Sequence, residues 1–157
     1  MLEKKLSGDV YHPTEEVINH ANAKCDELYD FAERDYEGFW AKEAEELHWF
    51  QKWNKVLDDS KKPFFKWFTE GKTNICYNCL DVHLDSARRN KLALIWEGED
   101  GEFKSFSYFA LHRDVNKFAN VLKSLGVHKG DRVTIYMGRV PELAIAMLAC
   151  ARIGAVH

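Results

Sequence analysis

The longest apolar run in the chain lies near its C-terminal end, over residues 143–151. Apolar side chains occupy every face of a helix there, which is typical of a helix that is buried all round. Pro141 suits the first helical turn, and Gly154 suits the left-handed position just past a helix end. The pattern therefore predicts a buried helix between these two residues.

Strand-like segments flank this predicted helix. Residues 132–137 are rich in β-branched and aromatic side chains, and Ala155-Val156 resembles the start of a second strand. Strand, buried helix and strand form half of a parallel α/β sheet. Since the sequence ends as the second strand begins, we expect the chain to be the opening portion of a larger protein, truncated within a domain.

A hairpin and an amphipathic helix are predicted upstream. Residues 92–96 predict a buried strand, Asp100-Gly101 a tight turn, and residues 103–108 the partner strand. Ser107 is positioned to cap a long helix that Gly126 ends. The apolar positions of that helix follow helical spacing: Leu111, Val115, Phe118, Ala119, Leu122 and Leu125.

The N-terminal part has a helical, aromatic-rich pattern as far as about residue 60. Thr14 is a candidate N-cap of a first helix, and residues 26–34 predict a second. A third is predicted from aromatic and apolar residues near helical spacing: Tyr36, Phe39, Trp40, Leu47 and Phe50. Residues 52–63 are interpreted as a polar connection. We expect a helical leader over 1–90 and the start of an α/β domain over 91–157.

Composition narrows the class of protein. Apolar residues make up 46% and charged residues 30%, with a net charge of −3, which is typical of a globular protein. No basic face indicates nucleic-acid binding, no apolar run is long enough to span a bilayer, and no signal peptide is evident. We expect a cytoplasmic protein with reduced cysteines, namely Cys25, Cys76, Cys79 and Cys150.

Two short motifs suggest chemistry but have simpler interpretations. Gly71-Lys72-Thr73 matches the end of a phosphate-binding P-loop, yet Lys66 stands where that motif needs a glycine, so we expect a solvated turn. Cys76 and Cys79 form a C-x-x-C with His83 four residues on, and a helix would place all three on one face for a metal.

The alternatives for the C-x-x-C remain open from sequence alone. A closed zinc site needs a fourth ligand such as Cys25, and a redox pair lacks a surrounding thioredoxin-like pattern. Buried small hydrophobes are the favoured interpretation. The tryptophans at 40, 49, 53 and 67 suit a ligand cage or, by preference, a packing surface. Spacing alone reveals no catalytic constellation.

Several blocks resemble one known family. They are Lys-Trp-Phe at 66–68, Asn-Ile-Cys-Tyr-Asn-Cys-Leu-Asp at 74–81, and the segments 93–99, 118–127, 129–133 and 147–157. Together they resemble the N-terminal part of the AMP-forming acetyl-CoA synthetases, within the adenylate-forming, or AMP-binding, superfamily. The family often has serine at the position of Cys76 and proline at that of Gly138.

The resemblance implies a two-step ligase that uses ATP, magnesium and coenzyme A in its complete form. No position of this chain matches the family's catalytic, cofactor-binding or metal-binding residues, which lie downstream. We therefore expect a scaffold that is inactive alone, whose partner is the remainder of the ligase chain, with no nucleic acid and no membrane. The alternative is a free-standing interaction or regulatory module that pairs with a separate catalytic chain.

Overall fold

The computed structural model describes residues 6–7, 10–22 and 26–157, and of 6–7 and 10–11 the backbone alone. The chain divides into two compact units, Met1–Ala44 and Glu45–His157. In the described residues, no helix has both the length and the apolar character that crossing a membrane requires.

The first unit contains a short hairpin and three helices. Strands β1 (Leu6–Ser7) and β2 (Val10–Tyr11) pair antiparallel. Helices α1 (Glu15–His20), α2 (Glu27–Arg34) and α3 (Tyr36–Ala44) follow. The predicted cap of α1 is confirmed, because the Thr14 hydroxyl oxygen accepts from the Val17 N–H at 3.4 Å.

The third helix is shorter than predicted. It ends at Ala44, so the expected continuation through Leu47 to Phe50 is wrong. Phe50 instead lies in a bend, where its N–H donates to the Lys72 carbonyl oxygen at 2.8 Å. Aromatic residues can be spaced as in a helix even where the chain forms a turn, so the spacing alone did not locate the end of α3.

The second unit begins with strands that the sequence did not predict. Strands β3 (Lys55–Asp58) and β4 (Lys66–Thr69) pair antiparallel, with Leu57 opposite Trp67. Residues 52–63 are therefore more than a polar connection, because they include β3. A strand of four residues is too short for its alternation to stand out from noise.

Two of the tryptophans pack as expected. Trp49, Trp53 and Phe68 form an aromatic group with ring centroids 4.8 to 5.4 Å apart, which confirms a packing role for these two tryptophans. Trp67 contacts Phe68 but keeps 39% of its surface exposed, and Trp40 keeps 40%.

Helix α4 (Ile75–Cys79) and two 3₁₀ turns, Asp81–His83 and Ala87–Asn90, lead to a hairpin of β5 (Leu92–Glu97) and β6 (Phe103–Ser107). Gly101 adopts a φ of +81° in the predicted turn. The strand is as predicted, but the expectation that it is buried is wrong, since Leu92 and Ile95 are more than half exposed.

Helices α5 (Tyr108–Ser124) and α6 (Pro141–Ile153) pack together and form the core. Their ends are as predicted: the Ser107 hydroxyl oxygen accepts from the Ala110 N–H at 3.2 Å, and Gly154 takes a φ of +76° after α6. The buried core residues are Cys76, Leu80, Leu111, Val115, Ala119, Leu122, Ala149, Cys150 and Ala155.

Two of the outer positions of these helices differ from expectation. Leu125 follows the end of α5 and is 75% exposed, and Met147 on α6 is 40% exposed, so α6 is not buried on all faces. An all-apolar helix needs cover on every side, and α5 and α4 together cover only part of it.

The predicted strand at 132–137 is reduced to a single parallel bridge between Arg132 and Val156. The Val156 N–H donates to the Asp131 oxygen and the Val133 N–H to the Val156 oxygen, each at 2.8 Å. The parallel direction is as expected. A strand needs a neighbour along its whole length for its hydrogen bonds, and among the residues that the structure describes, Val156 is the one that forms a bridge with this segment.

Candidate functional site

The C-x-x-C does not assemble the trio that the sequence suggested. Helix α4 ends at Cys79, Cys76 is fully buried, Cys79 is exposed, and the His83 ring packs against Tyr108 with centroids 4.9 Å apart. Among the described residues, no three histidine, cysteine, aspartate or glutamate side chains are arranged to hold a metal. Cys25 lies outside the described residues.

Burial also decides the chemistry of Cys76. Removal from water raises the pKa of its thiol to about 11, although the nearby Arg152 guanidinium acts in the opposite direction. A thiol held in its neutral form is a poor nucleophile and a poor metal ligand. Cys76 therefore acts as a small core residue, which is the interpretation that the sequence favoured.

Gly71-Lys72-Thr73 is not shaped for a phosphate. The Lys72 N–H donates to the Gln51 oxygen at 2.8 Å, and the Thr73 hydroxyl donates to the His48 oxygen at 2.7 Å. Gly71 packs so closely on Trp49 that an added Cβ would lie 2.6 Å from the ring. Lys72 forms an antiparallel β-bridge with Gln51, so the segment, although exposed as expected, is not a simple turn.

A polar cluster joins α4 to the end of α6. The Asn74 side-chain oxygen accepts from the Tyr77 N–H at 3.1 Å and so caps α4. The amide nitrogen of the same side chain donates to the carbonyl oxygens of Ala151 and Arg152, at 2.8 and 3.3 Å. One asparagine therefore satisfies the start of one helix and the end of another.

Asn78, on α4, binds the backbone of His48, which lies 30 positions earlier in the sequence. Its side-chain oxygen accepts from the His48 N–H at 2.7 Å. Its amide nitrogen donates to the His48 carbonyl oxygen at 3.1 Å and to the Thr73 hydroxyl at 3.0 Å. The segment around His48 is thereby held against α4 at two backbone atoms.

An ion pair completes the cluster. The Asp81 carboxylate accepts from both terminal nitrogens of Arg152, at 3.1 and 2.6 Å. His112 Nε2 lies 3.1 Å from the same carboxylate, and Asn116 contacts the imidazole at 3.0 Å. The side chains of Asp81 and Arg152 are 17% and 19% exposed, so water screens this pair poorly.

The electrostatics of the pair are mutually reinforcing. Burial alone would raise the pKa of Asp81, but hydrogen bonds and charge from Arg152, and then from His112, hold it below its ordinary value. Burial alone would lower the pKa of Arg152, and the bond to Asp81 raises it instead. Both groups are charged at neutral pH.

We refer to Asn74, Asp81, His112 and Arg152 as the clasp. The carboxylate is fully engaged by its two partners, and no serine or thiolate lies beside His112 in the contacts of the described residues. The arrangement therefore binds segments of the fold together rather than performing acid–base chemistry. It connects α4, α5 and α6.

Sequence reasoning did not identify the clasp. A signal was nevertheless present, because Arg152 is a lone charge in the apolar segment 143–153. A charge in a predicted buried helix requires a partner. Choosing Asp81 from among the many carboxylates would still have required the fold.

Comparison with known proteins gives the clasp a family context. Residues 83–157 match the family model of AMP-binding enzymes, and residues 25–79 match that of the acetyl-coenzyme A synthetase N-terminus. The chain is 52% identical over its whole length to an acetyl-coenzyme A synthetase of Rubrobacter xylanophilus. It is 57% identical over 84% of its length to one of Chlorobaculum tepidum.

A solved structure is also similar to this chain. An acetoacetyl-CoA synthetase from Streptomyces lividans, 26% identical, superposes on 90% of this chain with a TM-score of 0.77, and the match covers 22% of that protein. The chain spans about a quarter of the Rubrobacter relative and a fifth of the Chlorobaculum relative, at 24% and 20% of their lengths.

The fold and both matches place the chain among the AMP-binding, adenylate-forming enzymes. More particularly, it belongs to the acetyl-CoA synthetase family, of which it represents an N-terminal portion. The resemblance drawn from the sequence blocks is thus confirmed. The clasp spans both matched regions, since Asn74 lies in one and Arg152 in the other.

Proposed function

We propose that this chain is the N-terminal scaffold of an acetate–CoA ligase. The complete ligase would convert acetate, ATP and CoA into acetyl-CoA, AMP and pyrophosphate through acetyl-adenylate. The observation that carries the proposal is the match to acetyl-coenzyme A synthetases, at 52% identity across the whole chain. Its setting would be the cytoplasm.

The chain's own residues support a scaffold rather than a catalytic role. In the segment that resembles a phosphate loop, Gly71 to Thr73, the Lys72 N–H donates to Gln51 and the Thr73 hydroxyl donates to His48, so neither is aimed at a ligand. We therefore assign no catalytic, cofactor-binding or metal-binding residue to the chain. ATP, magnesium and CoA would be held by other parts of the ligase.

Exposed apolar side chains support the remainder of the ligase chain as the partner. Leu92 and Ile95 on β5 are 57% and 55% exposed, and Phe103 on β6 is 64% exposed. Large side chains of this kind are worth about 1.5–3 kcal/mol each when buried. We expect the chain alone to self-associate, which size-exclusion chromatography measures.

The boundary near residue 90, between a helical leader over 1–90 and the start of an α/β domain over 91–157, stays a prediction.

A chimera tests the proposal. Residues 1–157 would replace the matching segment of the Rubrobacter enzyme, and acetate-dependent ATP–pyrophosphate exchange would be compared with that of the unmodified enzyme. We expect exchange from the chimera and none from the isolated chain. Exchange by the isolated chain, or a folded but inactive chimera beside an active parent, would contradict the proposal.

A free-standing module is not favoured, because the relatives match along the chain as one part of a longer ligase. The coding sequence beyond codon 157 provides an inexpensive check. Continuation in frame supports the ligase. A stop codon followed by an unrelated gene supports the module.

A further inference from the structure

The end of α6 receives support from a distant part of the sequence. The carbonyl oxygen of Ala151 accepts from the Asn74 side chain, although the two residues are 77 positions apart. The next residue, Arg152, is the one that Asp81 binds at two points. Two clasp residues thus hold two consecutive residues of the last turn.

The parallel bridge begins directly after this turn. Gly154 reverses the chain, and its carbonyl oxygen accepts from the Gly130 N–H at 2.9 Å. Val156 then pairs with Arg132. Only three residues separate Arg152 from Val156, so a shift of the helix end is passed directly to the bridge.

Apolar packing of α6 combines small, fully buried side chains with larger, partly buried ones. The fully buried positions are Ala146, Ala149 and Cys150, with Pro141 at the start. The larger Ile145, Leu148 and Ile153 are partly buried against the core. The directional contacts of Asn74 and Asp81 add to the register that this packing specifies.

We infer that Asn74 and Asp81 are positioning residues, which act through Ala151 and Arg152 to set the register of the parallel bridge between Arg132 and Val156. The structural half of this inference stands on the contacts above. Its consequence for catalysis rests on the proposed function, because it assumes that the sheet begun at Val156 supports the ligase site.

Amide hydrogen exchange tests the structural half in this chain. In Asp81→Asn, we expect the Val133 and Val156 amides to exchange about tenfold faster or more, relative to the Val115 and Ala119 amides of α5. The control is Asp59→Asn, which removes an exposed carboxylate paired with Lys62. Equal acceleration at all four amides, or none, would overturn the inference.

Arg152→Lys serves if Asp81→Asn does not fold. It keeps the positive charge and much of the stem but loses the planar two-point contact. The same selective acceleration at Val133 and Val156 is expected. Slow exchange at both amides in this variant, with α5 unchanged, would overturn the inference.

The chimeric ligase tests the catalytic half. Asp81→Asn should lower its kcat for acetate-dependent exchange by about tenfold or more, since misplaced elements far from the chemistry have effects of this order. The KM for acetate should stay within about twofold, because positioning acts on the reacting geometry rather than on ground-state binding.

The two failures are distinguishable. An inactive unmodified chimera contradicts the proposed function, while selective exchange at Val133 and Val156 still decides the structural inference. An active Asp81→Asn chimera with unchanged kcat overturns the catalytic half alone.

Discussion

Asp81 and Arg152 are 71 residues apart in sequence and are joined by two hydrogen bonds of 3.1 and 2.6 Å. The pair lies where α4 meets the end of α6, with most of both side chains removed from water. Removing the Asp81 carboxylate leaves the partly buried Arg152 guanidinium without its main partner. Breaking a buried ion pair by removing one partner is strongly destabilising.

Asp81→Ala should therefore lower the free energy of unfolding by about 1.5–3 kcal/mol, the range for hydrogen bonds to charged groups. Urea unfolding of the purified chain measures it. Asp59→Ala is the matched control, because that carboxylate pairs with Lys62 at the exposed surface and its loss should cost far less stability. Equal losses in the two variants would contradict the special role of Asp81.

The same pair predicts a dependence on pH. The folded-state pKa of Asp81 lies below its ordinary value of 3.8, so the carboxylate stabilises the fold above that value. This stabilisation is lost as the pH falls through the lower folded-state pKa. The stability difference between wild type and Asp81→Asn should be largest near neutrality and should shrink below pH 3.8. A constant difference in acid would contradict the assignment.

Gly71 and Gly138 provide a matched pair of substitutions. A Cβ at Gly71 would lie 2.6 Å from the Trp49 ring and 2.9 Å from the Phe68 carbonyl oxygen, whereas one at Gly138 meets nothing within 4 Å. Gly71→Ala should cost about 1–3 kcal/mol through overpacking. Gly138→Ala should change stability by at most about 0.5 kcal/mol. Thermal unfolding of both variants checks the contrast, and similar costs would refute the close contact at Trp49.

Thiol labelling separates the two cysteines of α4. Cys76 is buried with a pKa raised to about 11, while Cys79 is exposed. Iodoacetamide at about pH 8 should label Cys79 first and Cys76 only as the protein unfolds, because the thiolate is the reactive form. Mass spectrometry of the peptides after timed labelling gives both rates, and Cys79→Ser is the control in which the fast-labelled peptide should disappear. Comparable rates in the folded chain would show that Cys76 is not protected.

The helix ends were predictable from sequence because their signals are local. Ser107, Pro141 and Gly154 each act within a few residues, and each occupies the expected position. The strands β3 and β4 were missed, since four residues carry little periodicity and their stability comes from pairing and from the aromatic group beside them.

The clasp shows the opposite situation. Arg152 was visible as an isolated charge, but its partner depends on how α4 is placed against α6, which no local pattern encodes. The family blocks included residues 74–81 without giving a physical reason for that pattern. The structure supplies one, because Asn74, Asn78, Leu80 and Asp81 all make contacts that hold the unit together.

The separation of Asp81 from Arg152 also affects synthesis of the chain. Translation proceeds at about 5–20 residues per second, so the 71-residue interval corresponds to roughly 4 to 14 seconds. During this interval Asp81 has left the catalytic centre of the ribosome and its partner does not yet exist. Cys76 and Leu80 spend that period without α6, which contributes Ala149 and Cys150 to the core around them, so their apolar surface is uncovered until α6 has been synthesised.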